Sequence, residues 1–443
     1  MPPLTTIRPT VPEPEITAGG LADPLGDLAA PTHLKIEQYL PGDVLGGAHP
    51  APRLSWEIAS APAGWAPTGA DLKITRTDAA GAPLGEPEVL PLEAADGVLA
   101  PWPAPPLASR DRVVLRVRVT GRSSEAPDAA AGTDSDAAGT TAEAGSPATA
   151  SPADTGWSEP IAYEVGLLDP ADWRALPVGP SWPENPLADR RPPRVRTEFD
   201  LPRPVVAARA YISAHGLIRA EIDGRRIGAD ELVPGWTVYG ERLIARTYDV
   251  TDLLTASGDG TGAHALGAQL ADGWYRGHIG FDGGYRNLYG EDIAAVVQLE
   301  VTHDDGSRSL IATDADWRAG VGEILFTDLY DGEKVDARRA APGWSRPGFD
   351  DSSWLPVEVG ASDAERLVMP TDAPVRAVET LRPVEVSVQE RRVLPLGGGE
   401  AELSPERVLI DFGQNISGRL RIRVSGPAGR TITLRHAEGL DDG

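Results

Sequence analysis

An all-β architecture of tandem β-sandwiches is what this 443-residue chain predicts, and three observations carry the prediction. Short segments alternate apolar and polar residues, the period-2 pattern of strands with one face in a core and the other in water. The segments are punctuated by turn formers, with Gly 49 and Pro 42 in total. Long helical periods are scarce. The length allows two to four domains at roughly 100–200 residues each, with ample chain for several cores.

Residues 1–30, rich in Pro, Thr and Ala, read as a disordered tail. From position 31 the segments HLKIEQYL, RLSWEIA, ADLKITRT and DRVVLRVRVT are short strands bounded by Gly, Pro and Asp. Ser123–Gly156 interrupts them: 34 residues with no aromatic, no Ile, Leu or Val, and no basic residue. Such a segment buries too little apolar surface to offset its ordering entropy. It reads as a disordered acidic insertion, 123–156, inside a first β-domain spanning 31–168. Strands resume at WSEPIAYEVG from Trp157. A proline-rich connector, 169–198, carries Trp173 and Trp182 as anchors to a neighbouring domain. TEFDLP, VVAARAYISAH, IRAEIDG, AHALGAQLA, IAAVVQLEVTH and SLIATD then build a second β-domain, 199–375, with turns at Asp223-Gly224 and Asp305-Gly306. The segment 376–443 reads as the start of a further sandwich, and the chain is expected to stop inside it.

The formal net charge of −25 argues against a nucleic-acid partner, because phosphates repel such a surface. No cysteine is present, which excludes disulfides, thiol catalysis and Cys-ligated zinc. No run of about 18 apolar residues occurs, so no membrane partner is expected. The N-terminus lacks the basic and apolar regions of a secretion signal, so the expected location is the cytoplasm.

The stretch Ala271–Gly290, ADGWYRGHIGFDGGYRNLYG, concentrates the chemistry. It is too glycine-rich for a helix and too aromatic for a flexible linker. Trp236, Tyr239, Trp274, Tyr275, Tyr285 and Tyr289 form the best constellation in the chain. Aromatic faces stack on the C–H face of a pyranose, and Arg276, Arg286 and Asn287 supply donors for its hydroxyls. The same rings also suit packing beneath a long sandwich loop. His278 lies in this loop, and the seven histidines form no metal-ligand pattern.

Asp328, Asp331, Glu333 and Asp336 lie within nine residues, and Asp230-Glu231 precedes Pro234-Gly235-Trp236. Clustered carboxylates are the ligand type for Ca²⁺. The spacing is not that of an EF-hand, and solvated acidic turns are the better reading of both groups. Glycoside hydrolysis needs two carboxyls across a glycosidic bond, but spacing does not pair any among the 66 acids. No GxSxG elbow and no phosphate-binding loop is present.

Several motifs in fixed order carry a resemblance. RAYISAHGLIRAEIDGRRIG at 209–228, LVPGWTVYGERLIARTYDVTDLL at 232–254, ADGWYRG at 271–277, GGYRNLYGED at 283–292 and TDLYDGEKVDAR at 327–338 resemble the N-terminal β-sandwich module of bacterial α-L-rhamnosidases. WSEPIAYEVGLLDPADW at 157–173 resembles the end of the fibronectin-type domain preceding that module. VLIDFGQNISGRLRIRVSGPAGRTITLRHAEGL at 408–440 resembles the start of the sandwich that follows it. The resemblance implies a fibronectin-III-like domain, a jelly-roll-like domain and an incomplete third sandwich.

In that family the chain continues into an (α/α)6 barrel, whose acids remove terminal α-L-rhamnose with inversion. Nothing in this sequence matches the barrel, so no catalytic residue is assigned and the barrel is expected in the complete polypeptide. The resemblance further implies L-rhamnose or rhamnosides as ligands. It requires no cofactor and leaves Ca²⁺ as the one candidate, at Asp230, Glu231, Asp328, Asp331 or Glu333. The expected function is therefore the non-catalytic N-terminal part of an α-L-rhamnosidase. The rival is a free-standing carbohydrate-binding protein without hydrolase activity. A third reading, a decayed fragment, predicts aggregation through exposed strand edges.

Overall fold

The computed structural model describes residues 27–93, 96–123, 152–280, 284–389, 393–395, 401–403, 407–423, 425–427, 429 and 432–439. Most of the N-terminal tail and of the acidic insertion lies outside the described residues. Two compact units result: Met1–Gly228 with Leu232–Pro374, and Ala229–Glu231 with Val375–Gly443.

The first unit opens with β1 (Thr32–Ile36), β2 (Val44–Gly47), β3 (Leu54–Glu57), β4 (Trp65–Thr77), β5 (Glu88–Leu92), β6 (Arg112–Ser123), β7 (Pro152–Asp154) and β8 (Ile161–Val165). One sheet runs β2-β8-β6-β4-β5, with β7 beside β6, and the β1–β3 pair shares its core. In β6 the alternation works as read: Val113, Leu115, Val117 and Val119 are each 0% exposed. Residues 152–156 are part of the fold, although composition assigned them to the insertion. β7 pairs with β6, and the hydroxyls of Thr155 and Ser158 accept from Val119 N and Val117 N at 2.9 and 3.0 Å. Buried hydroxyls replace ladder carbonyls there, a role that carries no apolar signature.

The second part of the unit holds β9 (Val178–Pro180), β10 (Pro193–Leu201), β11 (Val205–His215), β12 (Leu217–Ile222) and β13 (Arg225–Arg226). Beyond β14 (Asp230–Glu231), which belongs to the second unit, come β15 (Leu243–Ile244), β16 (Arg246–Asp249), α1 (Thr251–Leu254), β17 (Gly262–Ala271), α2 (Gly273–Arg276) and β18 (Ala294–His303). They are followed by β19 (Arg308–Ala312), β20 (Arg318–Val321), β21 (Ile324–Asp328), β22 (Gly332–Val335), β23 (Leu355–Val359) and β24 (Leu367–Val368). The hydrogen-bonded path is β13-β12-β17-β10-β20-β23-β9-β18-β11-β16, with β19 on β18. Leu266 and Ala268 from one arm of the path share a core with Ile212, Val297 and Leu299 from the other, so the path folds over into a sandwich. β9 and β10 begin inside the stretch read as connector. Asp223 and Gly224 join β12 to β13 with φ of +51° and +77°, the left-handed pair a two-residue hairpin needs.

β11 is buried on both faces. Ala208, Ala210, Ile212 and Ala214 point into the sandwich core, while Tyr211 joins a second cluster with Trp173, Tyr239 and Val296. That second face also meets the first β-domain. Arg209 donates to both oxygens of Glu164 in β8 at 2.7 and 2.9 Å, and Arg110 donates to both oxygens of Glu300 at 2.6 Å and to Asp172 at 2.7 Å. A Cβ on Gly166 would lie 2.1 Å from Met369 Sδ, so the backbone there touches the thioether. These bidentate pairs hold the Arg110 and Arg209 guanidiniums charged far above neutrality.

The second unit pairs β14 with β25 (Val375–Arg376), β26 (Glu385–Gln389) with β29 (Arg407–Asp411), and β27 (Val393–Pro395) with β28 (Ala401–Leu403). Two four-residue α-helices are present among the described residues, and no helix there is long and apolar enough to cross a membrane.

Candidate functional site

The Ala271–Gly290 stretch leaves β17 through α2, and its rings form a chain. Tyr239 is the floor, at 2% exposure. Tyr275 meets it edge-on at 5.2 Å and stacks on His215 at 5.2 Å. Tyr289 lies 4.9 Å from Tyr239, and its hydroxyl accepts from Trp236 Nε1 at 3.2 Å. Trp274 is half-buried against the same cluster. Burial, reinforced by the neighbouring phenols, pushes the Tyr239 hydroxyl well above its ordinary pKa.

The inner half of this chain of rings is core, and the outer half is surface. Trp236 is 52% exposed and Tyr289 37%, with Val238 and Leu288 exposed beside them in sequence. Tyr285 is 75% exposed, and its backbone pairs with Ile279. Trp236 and Tyr289 are thus a joined aromatic lip, fixed from beneath by Tyr239.

Arg276 and Asn287 serve the scaffold. Arg276 is fully buried, donating to Asp272 and Glu184 at 2.6 Å and to Glu291 O at 3.3 Å. Asn287, at φ +58°, accepts from Arg190 and donates to Pro186 O. Arg286 donates to Asp189 and Ala188 O. Together they clasp the loop to residues 184–190.

His215 and Asp363 escaped sequence reasoning. His215 Nε2 lies 2.7 Å from Asp363 Oδ2, and Asp363 also pairs with Arg366, which donates to Tyr239 O at 3.0 Å. Burial works to raise the Asp363 pKa, but His215 and Arg366 hold it below the usual carboxylate value. The two residues are 148 positions apart, so no local pattern announces them.

The acids divide into separate groups. Asp328 and Asp331 come together with His278, their ligand atoms all within 4.8 Å of one another. Asp328 accepts from the backbone N–H of His278, Tyr330 and Asp331 at 2.8, 2.8 and 3.2 Å. Those bonds outweigh burial and lower its pKa. Arg286 Nε donates to His278 Nε2, which places the ring proton on Nδ1, 2.7 Å from Asp331 Oδ2. With the imidazole and Asp328 so engaged, the group offers few free lone pairs of the oxygen type Ca²⁺ takes. Glu333 sits exposed on β22 outside this group, and Asp336 caps the next turn by accepting from Arg338 N. Asp230 and Glu231, in the second unit, bind Arg376 at 2.6 Å and Arg419 at 2.7 Å.

This order of sandwiches defines the class. Residues 31–134 match the family model of the Rha78A-like N-terminal immunoglobulin domain. Residues 203–379 match that of the alpha-L-rhamnosidase N-terminal domain, and residues 401–443 that of the bacterial alpha-L-rhamnosidase concanavalin-like domain. The chain therefore carries the N-terminal β-domain series of the bacterial α-L-rhamnosidases.

Among individual relatives, it is 41% identical over 297 residues to an alpha-L-rhamnosidase of Streptomyces avermitilis, covering 66% of this chain and 26% of the relative. The native rhamnosidase structure from Aspergillus terreus superposes with a TM-score of 0.70 at 32% identity, over 88% of this chain and 39% of that one. A Streptomyces avermitilis alpha-L-rhamnosidase complexed with L-rhamnose superposes with a TM-score of 0.65 at 25% identity, over 82% of this chain and 48% of that one. The chain spans about a quarter to a third of the length of the curated relatives it matches, 26% and 30% in two of them.

Proposed function

We propose that this chain is the non-catalytic N-terminal part of an α-L-rhamnosidase, supporting a catalytic barrel and presenting a rhamnose-binding surface. The observation that supports the reading is the run of three rhamnosidase family matches in order along one chain. In the complete enzyme the barrel's acids would protonate the glycosidic oxygen and activate water, releasing terminal α-L-rhamnose with inversion. A lectin acting alone has less support, because the relatives carry enzyme names and extend well beyond the matched part.

Within this chain the sugar-facing candidates are Trp236 and Tyr289. Both expose ring surface, while Tyr289 packs on Tyr239 and its hydroxyl accepts from Trp236 Nε1. Residues 1–443 assayed with an aryl α-L-rhamnoside should show no turnover, and titration with L-rhamnose should show saturable binding. Trp236→Ala should weaken that binding by about 1–3 kcal/mol, the scale of one lost stacking and burial contact. Turnover by residues 1–443 would overturn the non-catalytic assignment. Unchanged affinity in Trp236→Ala would move the sugar site elsewhere.

A further inference from the structure

A cleft of about 540 Å³ lies between residues 182–191, β20 and the start of β23. Its size is inside the range of roughly 300–1,000 Å³ typical of small-ligand sites. Trp182 and Trp354 line it, together with Asn185, Ser353, Arg190 and Arg191. None of these residues belongs to the Trp236–Tyr289 lip.

The walls are built rather than left over. Trp354 stacks on Trp344 at 6.3 Å and meets Phe349 edge-on at 5.9 Å. Gly320 lets the indole lie on the strand backbone, since a Cβ there would sit 2.3 Å from the ring. Trp182 packs against the sandwich core. Ser181 Oγ donates to Pro356 O at 2.7 Å, and Arg191 donates to Gly322 O at 2.7 Å, so the segment is tied down on both sides. The rings are therefore fixed before any ligand arrives, which lowers the ordering cost of binding.

The lining names the ligand class. Two acids and two arginines line it, with Glu184 and Asp189 paired to Arg276 and Arg286 and with Arg190 and Arg191 donating to Asn287 Oδ1, Glu291 O and Gly322 O. Two indoles offer flat apolar faces, and Asn185 and Ser353 offer donors and acceptors at an exposed rim. We propose that this cleft is a second binding site, for a neutral saccharide of about disaccharide size. The site needs no contribution from the aromatic lip; only the choice of probe rests on the rhamnosidase reading.

The test is calorimetric titration of the full chain with rutinose, a rhamnosyl-glucose disaccharide, on the wild type, Ser353→Arg, Trp236→Ala and the variant carrying both. Ser353 is exposed, so arginine there fills the cleft without removing a packed side chain. Saturable binding that persists in Trp236→Ala, and that falls at least tenfold when Ser353→Arg is added to that variant, is expected. No saturable binding in Trp236→Ala, or unchanged affinity on adding Ser353→Arg to it, overturns the proposal. Loss in Trp236→Ala alone leaves the lip standing and removes the cleft; loss in Ser353→Arg alone does the reverse. If Ser353→Arg fails to fold, Ser353→Gln and Asn185→Ala replace it, and full affinity in both overturns the proposal.

Discussion

β18 and the β26–β29 pair carry the same kind of sequence and meet opposite environments. Ala295, Val296, Val297, Leu299 and Val301 of β18 are each 0% exposed. Val386, Val388, Val408 and Ile410 of the pair are 60%, 56%, 58% and 45% exposed. β18 has hydrogen-bonded neighbours on both edges and packed clusters on both faces, whereas among the described residues β26 and β29 pair only with each other. Alternation specifies a strand. Burial depends on a second layer, which the alternating segment does not itself supply, and a lone two-stranded ribbon is marginal in water.

The contrast is sharpest in the core of the first unit. Trp317 is 1% exposed, and its Nε1 donates to Ala312 O at 2.9 Å. Trp317→Ala should cost about 3–5 kcal/mol, read from urea unfolding. Glu164→Ala should cost about 3 kcal/mol, because it leaves Arg209 buried without its main counter-charge. A loss under about 1 kcal/mol would mean that the contact between the first two β-domains is looser than its geometry.

The next effect is set by pH. Asp223 Oδ2 lies 2.7 Å from His264 Nδ1, and this bond outweighs burial to raise the imidazole's pKa. The folded pKa exceeds the unfolded value of about 6.5, so the contribution is complete below that pH and is lost as pH rises through the folded pKa. Melting temperature should fall over that window, and Asp223→Asn should flatten the fall. Asp328 and Asp363 have the opposite sign: their depressed pKa values stabilise above about pH 3.9, and the gain disappears as acid protonates them. The smallest effect belongs to the ribbon. Val386→Ala and Ile410→Ala should each change stability by less than about 0.5 kcal/mol, as exposed positions do. A cost of several kcal/mol at either position would show that the pair has a covering layer.

The fold was readable because β6 and β12 obey simple alternation and Asp223-Gly224 marks its own turn. β11 was harder, since Ala, Tyr and Ile fill both of its faces and period 2 carries little contrast. The aromatic lip was half legible. Composition assembled Trp236, Tyr239, Tyr275 and Tyr289, but only coordinates separate the buried Tyr239 from the exposed Trp236. Arg276 and Asn287 looked like sugar donors because residue type does not reveal that Asp272, Glu184, Arg190 and Pro186 O use their hydrogen bonds. His215 and Asp363 meet only through the fold.

The charge pairs between the first two β-domains have a consequence for ancestry. A recombination event that joined this first domain to a different sandwich would leave Arg110 and Glu164 facing strangers, unless the newcomer carried Glu300 and Arg209 at matching places. The Gly166–Met369 contact adds a steric lock of the same kind. The two domains should therefore be inherited as one piece, and chimaeras that exchange them together should fold where chimaeras split near residue 168 do not.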